Sequence, residues 1–165
     1  QRIVSTAPSF TEILFALGAG ERVVAVSTYC HFPRAVEKLP RIGTYLEPNV
    51  EAIARLRPDL VLVHAEQGKI VAQMAALGIR TLALRNTTLE DTLRGMRETG
   101  EAVGLGARGV ELEREIRGRL AALEKRTAGR APKKLLFIVG RTPGRLDGML
   151  AVGKGSYLKI GRAHV

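Results

Sequence analysis

Tryptophan is absent from this chain, cysteine occurs once, and aromatic residues make up only 4% of its 165 positions. The single thiol, Cys30, has no internal disulfide partner and no companion at CxxC spacing. That excludes a disulfide framework and a cysteine-built zinc site. Long apolar runs are missing too: stretches such as Leu135 to Val139 are strand length, far short of the roughly 20 residues a membrane-spanning helix needs. Acidic residues are outnumbered 16 to 26 by Lys and Arg, a formal charge of +10 that invites a nucleic-acid reading. Half of that excess lies between Ala107 and Lys134, where nine Arg/Lys meet four Glu and no aromatic residue is available to stack on a base. The segment therefore reads as a solvated helix face, with no nucleic acid as partner. The chain opens on Gln1-Arg2-Ile3 without initiator Met or signal-peptide pattern, so its compartment is not legible from this end.

What is present is a βαβ rhythm, the signature of a mostly parallel sheet covered by helices. Arg2–Ser5 reads as the first strand, and Ser9 with Glu12 as a capping box opening a helix to Leu17, stopped by Gly18. Val23–Val26 is the second strand. A long connection follows, punctuated by Pro33, Pro40 and Pro48, with a helical turn near Ala35–Lys38. Asn49 caps a short helix through Leu56, and Leu60–Val63 is apolar at consecutive positions, as expected of a strand buried on both faces. A helix over Gly68–Leu77, a strand over Arg80–Leu84 and a helix over Leu89–Val103, opened by a Thr88/Asp91 capping box, complete the unit. Beyond Gly104 and Gly106, Val110, Ile116, Leu120 and Leu123 recur at helical spacing, predicting one amphipathic helix of about five to six turns closed by Pro132. Leu135–Val139 then reads as a new buried strand followed by a glycine-rich loop, Gly140–Gly144.

Few of the enzyme motifs suggested by such a chain survive inspection. Gly18-Ala19-Gly20 follows a helix and precedes a strand, the reverse of a dinucleotide fingerprint, and Gly140–Gly144 lacks the Lys-Ser/Thr pair of a phosphate-binding loop. Cys30, His31 and His64 sit on loops after strands, but no metal-ligand spacing joins them. Neighbouring Cys30 and His31 point to opposite sides of an extended segment, which argues against a nucleophile pair. The sparse aromatics are more informative. Tyr29, Phe32 and Tyr45 fall in the connection after the second strand, at the sheet end where open α/β folds bind ligands. Phe32 suits either the core or the cleft, whereas Tyr29 and Tyr45 are better placed to offer flat faces to a large, partly apolar ligand.

Four stretches carry a family resemblance in order and spacing: Ile3-Val4-Ser5-Thr6-Ala7-Pro8-Ser9-Phe10-Thr11-Glu12, Val26–Pro33, Gly43-Thr44-Tyr45-Leu46-Glu47-Pro48-Asn49-Val50-Glu51-Ala52-Ile53, and Arg57–Val63. Over Arg2 to about Leu158 the chain resembles the helical-backbone solute receptors of ABC importers, in particular their cobalamin- and iron-siderophore-binding branch. The resemblance implies an α/β fold: an N-terminal Rossmann-like lobe (1–106), a long linker helix (107–131) and only the start of a second α/β lobe (132–158). It implies ligand binding by Tyr29, Tyr45, His64, Pro8 and Ser9, with Arg141 from the second lobe, and docking on the permease through Glu51. Relatives often carry Trp at the positions of Tyr45 and His64.

It further implies binding without catalysis, no resident cofactor or protein-held metal, and a corrinoid, siderophore or haem chelate as cargo. A monomer handing that cargo to a permease/ATPase complex, either free in the periplasm or lipid-anchored outside the cytoplasm, is the expected setting. The chain departs from the pattern in lacking most of the second lobe, which reads as C-terminal truncation. Its last residues, Lys159–Val165, resemble a translated sequencing-library adapter. Two alternatives are carried forward: a Rossmann-like enzyme using Cys30 and His31, and low-specificity nucleic-acid binding through the basic linker helix.

Overall fold

The computed structural model describes residues 1–131, 137–140 and 150–151. Its centre is a four-stranded parallel sheet in the order β2-β1-β3-β4, from β1 (Ile3–Ser5), β2 (Val23–Val26), β3 (Leu60–His64) and β4 (Thr81–Leu84). The continuous apolar run in β3 is explained by burial on both faces. Leu60 and Leu62 join Ile3, Phe10, Leu14, Leu84 and Val103 on one side, while Val61 and Val63 join Val4, Ala25, Ile53 and Met74 on the other. The four apolar side chains of β3, Leu60 to Val63, are fully buried. Each such burial is worth about 1.5–3 kcal/mol before chain entropy is charged against it. Three short helices, α1 (Pro8–Ala16), α2 (Val50–Arg55) and α3 (Gly68–Ala76), and the longer α4 (Leu89–Ala102) supply the covering layers. The exposed edge of β2 is closed by the chain itself, since Val26 N donates to Pro40 O and Ile42 N donates to Val26 O, both at 3.0 Å.

Two helix starts agree with the sequence reading. Asn49 accepts from Ala52 N at 2.9 Å, and the Thr88/Asp91 capping box is formed in both directions. The Ser9/Glu12 box is not formed. Pro8 begins α1 two residues earlier than that reading allows, because proline is suited to the first helical position. Ala7 becomes the cap residue, its carbonyl accepting from Thr11 N, and Ser9 falls inside the first turn with its hydroxyl free for other work.

The long helix α5 spans Gly106–Thr127, about 33 Å at 1.5 Å per residue. It ends earlier than expected: Ala128 leaves the helix and Gly129 takes φ +78°, so glycine rather than Pro132 stops it. The helix packs on α4 through a close approach at Gly100 and Gly109, and on α1 through Leu112 and Ile116 against Ile13 and Leu17. Its basic character is partly neutralised on the surface. Arg117 grips Glu90 at 2.9 and 2.6 Å and also reaches Glu113, while Arg108 binds Glu111 and Glu115, each at 2.8 Å. The next strand is β5 (Ile138–Gly140), paired antiparallel with β6 (Leu150–Ala151) in a separate ribbon. It lies later than the expected Leu135–Val139. Residues 132–136, the loop bearing Arg141 and the segment 159–165 fall outside the described residues, as does most of the expected second lobe. Among the described residues no helix is long and apolar enough to cross a membrane.

Candidate functional site

All four parallel strands end at one rim, and the loops that leave them build the site. The sheet order creates a switch point there: the connection after β1 leads to β2 on one side, and that after β2 crosses over to β3 on the other. Open α/β sheets form their ligand crevice at this position. Backbone bonds carry the ladder into the loops, with Thr6 N on Leu62 O at 3.2 Å, Ser27 N on Ser5 O at 3.1 Å and Ala65 N on Leu84 O at 2.9 Å. The first residues of each loop are therefore as firmly set as the strands.

Beneath the rim lies a buried polar chain. Thr11 Oγ1 donates to Ser5 Oγ at 2.8 Å, and the Cys30 Sγ sits 3.2 Å from both Thr11 Oγ1 and Ser27 Oγ. Cys30 is fully buried, whereas His31 beside it is exposed. The enzyme alternative draws no support from this arrangement: the thiol packs among hydroxyls inside the lobe, and the imidazole stands in solvent. The same arrangement explains how Tyr29 is held. Cys30 N closes a turn on Ser27 O at 3.1 Å, Arg41 clamps the Ser27 and Cys30 carbonyls at 3.1 and 2.6 Å, and Thr28 N reaches Gly43 O at 2.8 Å. Tyr29 projects from the apex of this turn, 54% exposed. Phe32 is 67% exposed, so the core reading of that residue is wrong; the inward place on this segment belongs to Cys30.

Tyr45 stands on a tight excursion whose base is closed by the Gly43–Pro48 bridge. Gly43 has φ +92°, and a Cβ there would lie 2.6 Å from Glu47 O, so the turn requires glycine. The Tyr45 ring meets His64 edge-on at a centroid distance of 5.8 Å, and His64 rests on Phe10 at 4.7 Å. His64, the last residue of β3, has its pKa lowered from 6.5, chiefly because burial penalises the imidazolium; nearby Glu66 and a hydrogen bond with Asn86 oppose the shift. At neutral pH it is an uncharged aromatic ring.

Tyr29, Tyr45, His64, Pro8 and Ser9 line one open cavity of about 580 Å³, together with Ala7, Glu12 and Asn86. The structure thus brings five of the residues singled out from sequence to a single surface. Glu12 and Asn86 were missed, as was Gln67, which joins two of the loops. Asn86 Nδ2 donates to Ser9 Oγ at 3.3 Å, a contact open to Ser9 because it is not the helix cap. A position two residues past the end of a parallel strand is the signal that could have found Asn86. A neighbouring depression of about 420 Å³ is lined by Glu66, Arg85, Thr88 and Asp91 among others. Glu51 lies apart from both, exposed in the first turn of α2. Among the described residues no three His, Cys, Asp or Glu side chains gather as a metal site.

Residues 3–160 match the family described as periplasmic binding protein. The chain belongs to that family. It is 30% identical over 145 residues to an ABC transporter substrate-binding lipoprotein of Bacillus subtilis, covering 84% of this chain and 46% of the relative. It is 28% identical over 144 residues to a vitamin B12-binding protein of Photorhabdus laumondii, covering 86% and 52%. Among solved structures of the fold, the apo periplasmic haem-binding protein from Roseiflexus sp. RS-1 superposes with a TM-score of 0.83 at 29% identity, covering 96% of this chain and 61% of that one. The periplasmic vitamin B12-binding protein of Vibrio cholerae superposes at 0.75 with 27% identity, covering 84% and 55%. The chain spans about half the length of the curated relatives it matches.

Proposed function

We propose that this chain supplies the N-terminal lobe (1–106) and linker helix (107–131) of an extracytoplasmic substrate-binding component of an ABC importer, whose cargo is a corrinoid or a haem or other iron chelate. The observation that carries the reading is the convergence of Tyr29, Tyr45 and uncharged His64 on one open cavity at the switch point of the sheet. In a chain with so few aromatics, placing them there suits a broad, flat ligand better than a small polar one. The work is binding and delivery rather than bond-making, and the metal arrives inside the cargo. Family members named for vitamin B12 and for haem support that choice of cargo. Glu51 is the docking carboxylate in this reading. One exposed ion pair contributes little, so it would act with other contacts to register the receptor on the permease. The expected state is a monomer in the periplasm or on a lipid anchor.

Thermal melting with and without hemin, cyanocobalamin and a ferric siderophore tests the proposal on protein expressed from its complete reading frame. Ligand at 100 times its Kd raises stability by about 2.7 kcal/mol, a shift of several degrees. No shift with any of the three would reject the reading.

A further inference from the structure

On the reading that the aromatic cavity is the ligand site, we infer that Gln67 is the positioning residue that sets Tyr45 against His64 before the ligand arrives. Gln67 stands at the N-cap position of α3, where Ser, Asp or Asn would satisfy the helix, yet its side chain makes no capping bond. Its amide instead spans two loops. Oε1 accepts from His64 N at 3.3 Å, while Nε2 donates to the carbonyl of Tyr45, 22 residues away in sequence. Gln67 N also closes the turn on His64 O at 3.0 Å, so the strut rises from the residue it braces.

The Tyr45 excursion has little else to hold its tip. Its base is fixed by the Gly43–Pro48 bridge and by Asn49 N on Ile42 O at 2.7 Å, and Glu47 N bonds within the loop to Thr44 Oγ1. Tyr45 and Leu46 are both exposed, at 40% and 68%. Among the described residues, the Gln67 amide is the side-chain hydrogen bond that ties this tip to another element. Without it the edge-on Tyr45–His64 corner must be assembled when the ligand binds, and ordering a loop at that moment subtracts from affinity.

Gln67→Glu keeps the length and the acceptor for His64 N but removes the donor to Tyr45. Gln67→Ser removes the strut while placing a good capping residue on α3, so fold stability is expected to hold or rise. In the ligand-free protein, backbone order parameters at Tyr45 and Leu46 should fall in both variants from about 0.85 toward 0.6, with α3 unchanged. The Kd for whichever of hemin, cyanocobalamin or a ferric siderophore the unaltered protein binds should weaken about two- to tenfold. Unchanged loop order in both variants overturns the inference whatever happens to affinity, and a loosened loop with unchanged affinity overturns it as well. If the unaltered protein binds none of the three probes, the proposed function falls and the ligand role of Gln67 with it; the order parameters then still decide whether the strut holds the loop.

Discussion

Alanine substitution at three glycines should have opposite effects inside and outside the α4–α5 seam. Alanine is better than glycine inside a helix by about 0.8–1.0 kcal/mol. At Gly118, on the exposed part of α5, an added Cβ meets nothing within 4 Å. Gly118→Ala should therefore keep nearly the whole gain. At Gly100 the same methyl lies 3.0 Å from Gly109 Cα and 3.0 Å from Leu105 O; at Gly109 it lies 3.0 Å from Met96 O and 3.2 Å from Arg97 Cα. These neighbours are all backbone atoms, so relief requires α4 and α5 to separate along a seam that also carries Leu112 and Met96. Overpacking of this kind costs about 1–3 kcal/mol, which offsets or outweighs the propensity gain and leaves Gly100→Ala and Gly109→Ala destabilised by up to about 2 kcal/mol. Urea unfolding followed by far-ultraviolet circular dichroism measures this as a shift of midpoint at constant slope. The two sites touch, so the double variant should cost less than the sum of the singles. If Gly100→Ala and Gly109→Ala stabilise as much as Gly118→Ala, the helices are not in the close contact described.

Thr99 is fully buried in α4, and its hydroxyl has no hydrogen-bond partner among the described residues. Thr99→Val should raise stability by about 1 kcal/mol, read from the same urea curves. His64 gives a pH signature, since burial holds its pKa below 6.5 in the folded chain. Above pH 6.5 neither state carries the proton. As the pH falls below that value the unfolded chain is protonated first, so stability declines until the folded value is passed. His64→Gln should flatten that acid slope in denaturation curves recorded from pH 7.5 downward. Cys30→Ser changes a buried packing residue and no reacting group, so ligand affinity should remain where it was; a lost turnover activity would instead revive an enzyme role.

The legible parts of the sequence were those set by local chemistry. β3 showed itself through uninterrupted apolar residues because both of its faces meet helices, and α2 and α4 through Asn49 and the Thr88/Asp91 box because caps act within three residues. Ser9 failed as a cap because a competing local rule, proline at the first helical position, prevailed. The end of α5 was misplaced because Gly129 stops the helix before Pro132 is reached. Within the site, Tyr29, Tyr45 and His64 could be found because residues after parallel strands share a rim. Asn86 obeys the same rule, two residues past the end of β4, but its pairing with Ser9 77 positions away, like that of Gln67 with Tyr45 22 positions away, arises only in the folded sheet. Phe32 was ambiguous for the same reason: whether it or Cys30 turns inward depends on how the Ser27–Cys30 turn packs on Thr11.

In the proposed function, Tyr29 and Tyr45 form the ligand-facing surface of a chelate receptor. Absorbance titration of hemin and cyanocobalamin, and of a ferric siderophore, into the unaltered protein and into the Tyr29→Ala/Tyr45→Ala double variant tests this most directly. The account predicts a saturable band shift for at least one chelate, weakened about tenfold or more in the variant, as the loss of two aromatic faces worth about 0.5–1.5 kcal/mol each beyond their buried area requires. Two outcomes would contradict it: no saturable shift with either chelate or with a ferric siderophore, or a shift of equal affinity in protein and variant.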